Sequence, residues 1–189
     1  MRAASQMLEI REIRDRISPL TVAEYHRLAE RNERGRRTEL IRGILVEKMS
    51  KSPLHSSIAR RLFKILQSNV PKRCILLRED PLTLADSEPE PDLAVVRGEE
   101  TDFAERHPTT AALVVEISVR SAVEDRALAA LYAEAGVEEY WIVLPVERRI
   151  EVHWQPEGGA YRNLFVVEGD ATLDCTSLPA IRISLAELF

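Results

Sequence analysis

Two carboxylates stand where carboxylates are uncommon. Asp92 follows Pro91 at the head of the segment EPDLAVV, and Glu116 lies inside the apolar run VVEIS. An unpaired carboxylate in a low-dielectric interior is costly, and buried Glu is correspondingly rare. A divalent cation removes that cost, and hard cations such as Mg²⁺ or Mn²⁺ prefer carboxylate oxygens. If the two segments are neighbouring strands, Asp92 and Glu116 meet at one edge of a sheet, where the backbone carbonyl of Ile117 can add a third oxygen. A metal held there would activate water and stabilise charge on a phosphodiester. The competing reading makes Asp92 a strand cap and gives Glu116 an arginine partner at a sheet end.

The basic residues are distributed unevenly. Twenty-two are Arg and four are Lys, namely Lys48, Lys51, Lys64 and Lys72, so none follows position 72. Arg is a poor substitute for Lys as a general base or compact phosphate ligand. Chemistry that needs Lys must therefore find it early in the chain. Residues 1–78 carry a net charge of +10 and residues 79–189 carry −15. A basic half suits an anionic partner, and an acidic half tolerates one only where its carboxylates hold cations. Otherwise the two halves are solvated faces that neutralise each other.

The elements that must position these groups can be read along the chain. Residues 1–20 form an extension, and residues 21–189 form a single domain, a size that buries a core without disulfides. Thr21 and Glu24 make a capping box for a helix over 21–33, ended by Arg34-Gly35-Arg36-Arg37. The segment 38–47, with Gly43 in its middle, is a hairpin. Ser52-Pro53 starts an amphipathic helix to about 69, in which Leu54, Ile58, Leu62 and Ile65 recur at helical spacing. Strands follow at 74–78, 81–85 and 91–96, then a buried central strand at 111–118. Ser121 and Glu124 read as a second capping box, opening a helix that Gly136 closes, and a strand at 139–144 stops at Pro145. Strands at 148–155 and 160–167 and a turn of helix after Ser184 complete the order. The strand–helix–strand unit at 111–144 predicts a parallel pair within an otherwise hairpin-connected sheet. No apolar run is long enough for a membrane span, and the N-terminus lacks a secretory apolar stretch. Cys74 and Cys175 have no ligand-like spacing and read as buried thiols of a cytoplasmic protein.

The stretches TELIRGILVEKMSKSPLHSSIARRL, EPDLAVV, LVVEIS and LYAEAGVEEYWIV resemble the Uma2 family of restriction-endonuclease domains, within the PD-(D/E)XK nuclease superfamily. The resemblance implies an α/β restriction-endonuclease-like core: a central mixed β-sheet flanked by helices, with an N-terminal helix and β-hairpin added. It implies Asp92 as the motif Asp, Glu116 as the motif (D/E), and Mg²⁺- or Mn²⁺-dependent hydrolysis of DNA. The superfamily's Lys, two residues after the motif Glu, is replaced here by Ser118. The helical position to which the family moves it is Leu128, and the Asp expected after EYWIV is Leu144. Three outcomes stand open: Lys48 or Lys51 reaches the site, the metal suffices alone, or catalysis is impaired and the chain binds DNA or a protein without cutting.

Supporting residues carry two readings each. Glu39 matches the acidic residue of the family's hairpin and either orients metal-bound water or is an exposed strand carboxylate. His55 either contacts phosphate and carries protons near neutral pH or is a structural cap. Glu90 either assists Asp92 or lies in a solvated acidic loop. Arg126 is the cation nearest the missing Lys and can stabilise phosphate charge only electrostatically. Arg60, Arg61, Lys64, Lys72 and Arg73 form either a DNA-backbone patch or a solvated face. Tyr132, Tyr140 and Trp141 read as core or interface aromatics. Cleavage of both strands of a duplex predicts a homodimer.

Overall fold

Alternating apolar segments separated by turn residues produce a mixed sheet in this chain, seen in a computed structural model that describes residues 10–29 and 37–189. Two compact units form. One contains the N-terminal part to Lys48 together with Asp86–Glu88, and the other contains Met49–Ala85 and Pro89–Phe189.

In the first unit, α1 (Arg11–Arg14) is a single turn and α2 spans Val22–Ala29. The Thr21 hydroxyl accepts from the Glu24 N–H, and the Glu24 carboxylate accepts from the Thr21 N–H at 2.8 Å, so this capping box forms. Residues 30–36, including the expected helix end, lie outside the described residues. The hairpin consists of β1 (Thr38–Ile41) and β2 (Ile44–Glu47), in antiparallel register from Thr38↔Glu47 to Ile41↔Ile44. Its two-residue turn, Arg42-Gly43, takes φ +52° and +72°, as a right-twisted hairpin requires. Gly43 is needed there because an added Cβ would collide with the Pro19 side chain.

In the second unit, α3 (Pro53–Asn69) starts as its residues predict. The Ser52 Oγ caps the helix by accepting from the His55 N–H, and Pro53 occupies the first turn. A six-stranded sheet runs in the order β3 (Cys74–Leu77), β4 (Leu93–Arg97), β5 (Leu113–Ile117), β6 (Glu139–Leu144), β7 (Arg149–Glu157), β8 (Ala160–Glu168). Only β5 and β6 pair in parallel within it, because α4 (Ala122–Glu134) carries the chain back between them. Gly136, at φ +71°, ends that crossover helix. Leu113, Val114 and Val115 are all fully buried, so β5 is covered on both faces. One face packs Leu62 and Leu66 of α3 against Val95, Val115, Trp141 and Ile150. A small antiparallel pair, β9 (Thr172–Asp174) and β10 (Arg182–Ser184), and α5 (Leu185–Leu188) close the chain. Sequence reading finds the final helix but not this three-residue ladder.

Two local expectations are corrected. Residues 81–85 do not form a strand. The Leu82 N–H goes to the Pro89 carbonyl and the Thr83 N–H to the Pro108 carbonyl, so its backbone bonds are shared between two proline-bearing segments rather than one ladder. Leu82 and Leu84 are nonetheless buried. At the start of α4, Ser121 makes no side-chain cap. Its hydroxyl donates instead to Asp125 Oδ2 at 2.7 Å. Cys175 is buried but Cys74 is only half-buried, and both thiols are free. No helix among the described residues is long and apolar enough to cross a membrane.

Candidate active site at the head of β4 and the end of β5

The antiparallel register of β4 and β5, Leu93↔Val115, extends to set Asp92 opposite Glu116. The Asp92 N–H donates to Glu116 Oε2 at 3.2 Å, so the two residues that sequence reading singles out are direct neighbours. Glu116 is further fixed from α4, whose Tyr132 hydroxyl donates to Oε1 at 3.0 Å. Tyr132 is fully buried, as a core aromatic should be, yet its polar tip reaches the carboxylate.

Asp92 is almost completely enclosed and uses both oxygens. Oδ2 accepts from the Ile117 N–H at 2.9 Å and lies 2.8 Å from His55 Nε2. Oδ1 accepts from Lys51 Nζ at 2.7 Å. Burial alone would raise this carboxyl's pKa, but the bonds and charges of His55 and Lys51 outweigh it and hold the group below its ordinary value. An ionised Asp92 requires the proton of His55 on Nε2. His55 Nδ1 is buried and lacks a hydrogen-bond partner. The helix cap explains the placement: the Ser52–His55 bond fixes the first turn of α3 and so aims the imidazole.

Lys51, just before that cap, is shared. Its Nζ lies 3.0 Å from Glu79 Oε1 as well as on Asp92. Glu79 takes φ +56°, uncommon for a side-chain-bearing residue, and its N–H bonds the Pro91 carbonyl next to Asp92. Sequence reading misses Glu79, since nothing in its local pattern marks a loop carboxylate as a lysine partner. It also leaves Lys48 and Lys51 equivalent. Lys48 pairs with Glu39 at 2.9 Å within the first unit, whereas Lys51 pairs with Asp92 in the second.

The structure therefore brings Asp92, Glu116, His55, Lys51 and the main chain of Ile117 together, while Glu39 belongs to the other unit. Arg126 is engaged elsewhere, forming a two-pronged pair with Glu151 at 2.8 and 2.6 Å. Leu128 is half-buried on α4 and Leu144 is buried at the end of β6. Arg60, Arg61, Lys64, Lys72 and Arg73 are exposed, and Arg61 also reaches the Leu188 carbonyl.

No three His, Cys, Asp or Glu side chains are grouped as metal ligands among the described residues. The donor set still fits Mg²⁺ or Mn²⁺, because Mg²⁺ is held by one or two carboxylates and completes its shell with water and substrate oxygens. Asp92 and Glu116 supply hard oxygens, and the ammonium on Asp92 Oδ1 shows that this oxygen accepts a cation.

Residues 22–186 match the Uma2 family, described as "Putative restriction endonuclease". A search of curated proteins finds no match. Among solved structures, the chain is similar to a putative nuclease belonging to DUF820 from Anabaena variabilis. The two share 22% identity at a TM-score of 0.76, over 90% of this chain and 98% of that one. At that identity the likeness establishes a common fold.

Proposed function

This chain belongs to the Uma2 family, and on that basis we propose that it is a divalent-cation-dependent endonuclease that hydrolyses DNA phosphodiester bonds. The observation that carries the reading is the junction of Asp92 and Glu116, joined by the Asp92 N–H, with Lys51 on the same carboxylate. Asp92 and Glu116 would hold Mg²⁺ or Mn²⁺. Such an ion, when bound, polarises the phosphoryl group and lowers the pKa of water.

The chain's own residues do the positioning. Tyr132 fixes one oxygen of Glu116, leaving the carboxylate oriented toward Asp92. His55 and the Ile117 N–H lock Asp92 Oδ2, so the carboxylate cannot rotate freely. Lys51 is the cation that the strand and helix motifs lack. Its ammonium lies against Asp92 and Glu79, and in this reading a remaining N–H donates to a phosphate oxygen. A preorganised charge of this kind acts on developing negative charge without reorganising. In this reading the exposed Arg60, Lys64, Lys72 and Arg73 contact the DNA backbone.

Supercoiled plasmid incubated with Mg²⁺ or Mn²⁺ tests the proposal. Nicking that Asp92→Ala abolishes is expected, as is a calorimetric metal-binding signal that Glu116→Ala weakens. Absence of both overturns it. Leu128 and Leu144, standing where the family pattern places Lys and Asp, favour a second reading: a nuclease-fold module that binds DNA without cutting. Salt-sensitive DNA retention without nicking would establish that reading.

A further inference from the structure

The two edges of the six-stranded sheet differ. At one edge β3 has four residues, a length too short to template much pairing. At the other, β8 runs for nine residues, Ala160–Glu168, and among the described residues pairs in the sheet with β7 alone. Natural edge strands are usually blunted by Pro, Lys or a bulge. Between Ala160 and Glu168 there is no Pro, Lys or Gly. Instead three consecutive apolar side chains are open to solvent there: Leu164 at 58%, Phe165 at 37% and Val166 at 47% exposure.

The sequence of this edge is self-complementary when read against itself in the opposite direction. With Phe165 on a twofold axis, Leu164 falls opposite Val166, Asn163 opposite Val167, and Arg162 opposite Glu168. The Leu164–Val166 and Arg162–Glu168 pairs thus match apolar with apolar and cation with anion, each twice over, while Asn163 meets Val167. Partners in this register are separated by an even number of positions, so the outward N–H and C=O groups of one strand face those of the other. Leu164 and Val166 share a sheet face, since their β7 partners are His153 and Glu151, two positions apart. The apolar contacts therefore stack side by side across the axis. Arg162 also pairs with Glu157 on the same hairpin, and both side chains are more than half exposed, so the guanidinium is accessible to a second carboxylate.

We propose that β8 is the self-association surface of this protein: two copies pair antiparallel through β8 about Phe165, joining their sheets into one. The occupant is a second copy of this chain, chosen by the Arg162–Glu168 complementarity. An interface of this type is isologous, as closed dimers require. The proposal is independent of whether the Asp92–Glu116 junction cuts DNA.

Sedimentation equilibrium of the full chain at tens of micromolar tests it. The expected result is a dimer. Arg162→Glu and Glu168→Arg should each weaken it about tenfold, by placing like charges opposite each other on both sides of the axis. The double variant, with both charges reversed, should restore it. These side chains are exposed, so circular dichroism should show all variants folded. A monomer, or a dimer that the single reversals leave unchanged, overturns the proposal.

Discussion

Lys51 and Asp92, far apart in sequence, form a 2.7 Å ion pair in which Glu79 shares the ammonium. The pair places a lysine at the carboxylate junction although the strand after Glu116 carries Ser118 and the following helix carries Leu128.

If Lys51 provides the missing cation, Lys51→Ala lowers plasmid nicking by about 10²–10³-fold, the range seen when one preorganised charge-stabilising donor is removed. A lysine returned to the helix, as Lys51→Ala/Leu128→Lys, is expected to recover part of that loss. Metal affinity measured by calorimetry should not fall in Lys51→Ala, because the ammonium competes for an Asp92 oxygen rather than helping to bind a cation.

Tyr132→Phe deletes the hydroxyl that orients Glu116 while keeping the ring in the core. The loss of one buried hydrogen bond is expected to cost about 1 kcal/mol in denaturant unfolding. Nicking should fall more steeply than stability does, with the metal concentration for half-maximal rate raised, because the carboxylate loses its fixed orientation.

Asp92 also sets a pH dependence. Burial opposes ionisation, and His55 and Lys51 overcome it, so the folded pKa lies below the unfolded one. The unfolded state then binds more protons in acid. The associated stability is fully present above the unfolded carboxyl value of about 3.9 and is lost as pH falls through the folded value. Thermal melts between pH 6 and pH 3 should therefore lose less midpoint temperature in Asp92→Asn than in the parent chain.

The two thiols should differ in reactivity. Burial, followed by the nearby charge of Glu139, pushes the Cys175 thiol up to about 12. Cys74 is only half-buried. A thiol-reactive dye at pH 8 is expected to label one thiol per native chain, at Cys74, and both after denaturation; rapid native labelling of Cys175 would contradict the burial argument.

Much of the architecture is legible in residues close together in sequence. The hairpin follows from a two-residue turn containing Gly43, and α3 follows from Ser52-Pro53, because turns and caps are decided by local backbone chemistry. The parallel pairing of β5 and β6 follows from the crossover helix between two apolar runs. Misreadings occur where a group takes a different partner from the one its local pattern suggests. The segment 81–85 has strand-like composition, but Pro89 and Pro108 receive its N–H groups. Ser121 has capping spacing, but the Asp125 carboxylate takes its hydroxyl.

The sequence by itself determined the types of group at hand: one carboxylate at the head of an apolar strand and one inside another, a histidine in a capped first turn, and lysines confined to the first 72 residues. Only the tertiary structure decided between Lys48 and Lys51 and recruited Glu79. Lysines three residues apart carry the same charge and differ only in what the fold sets beside them. Here that is Glu39 for one, and Asp92 with Glu79 for the other. A side-chain ion pair acts over a few ångströms, and which carboxylate comes within that reach depends on chain segments that only folding brings together.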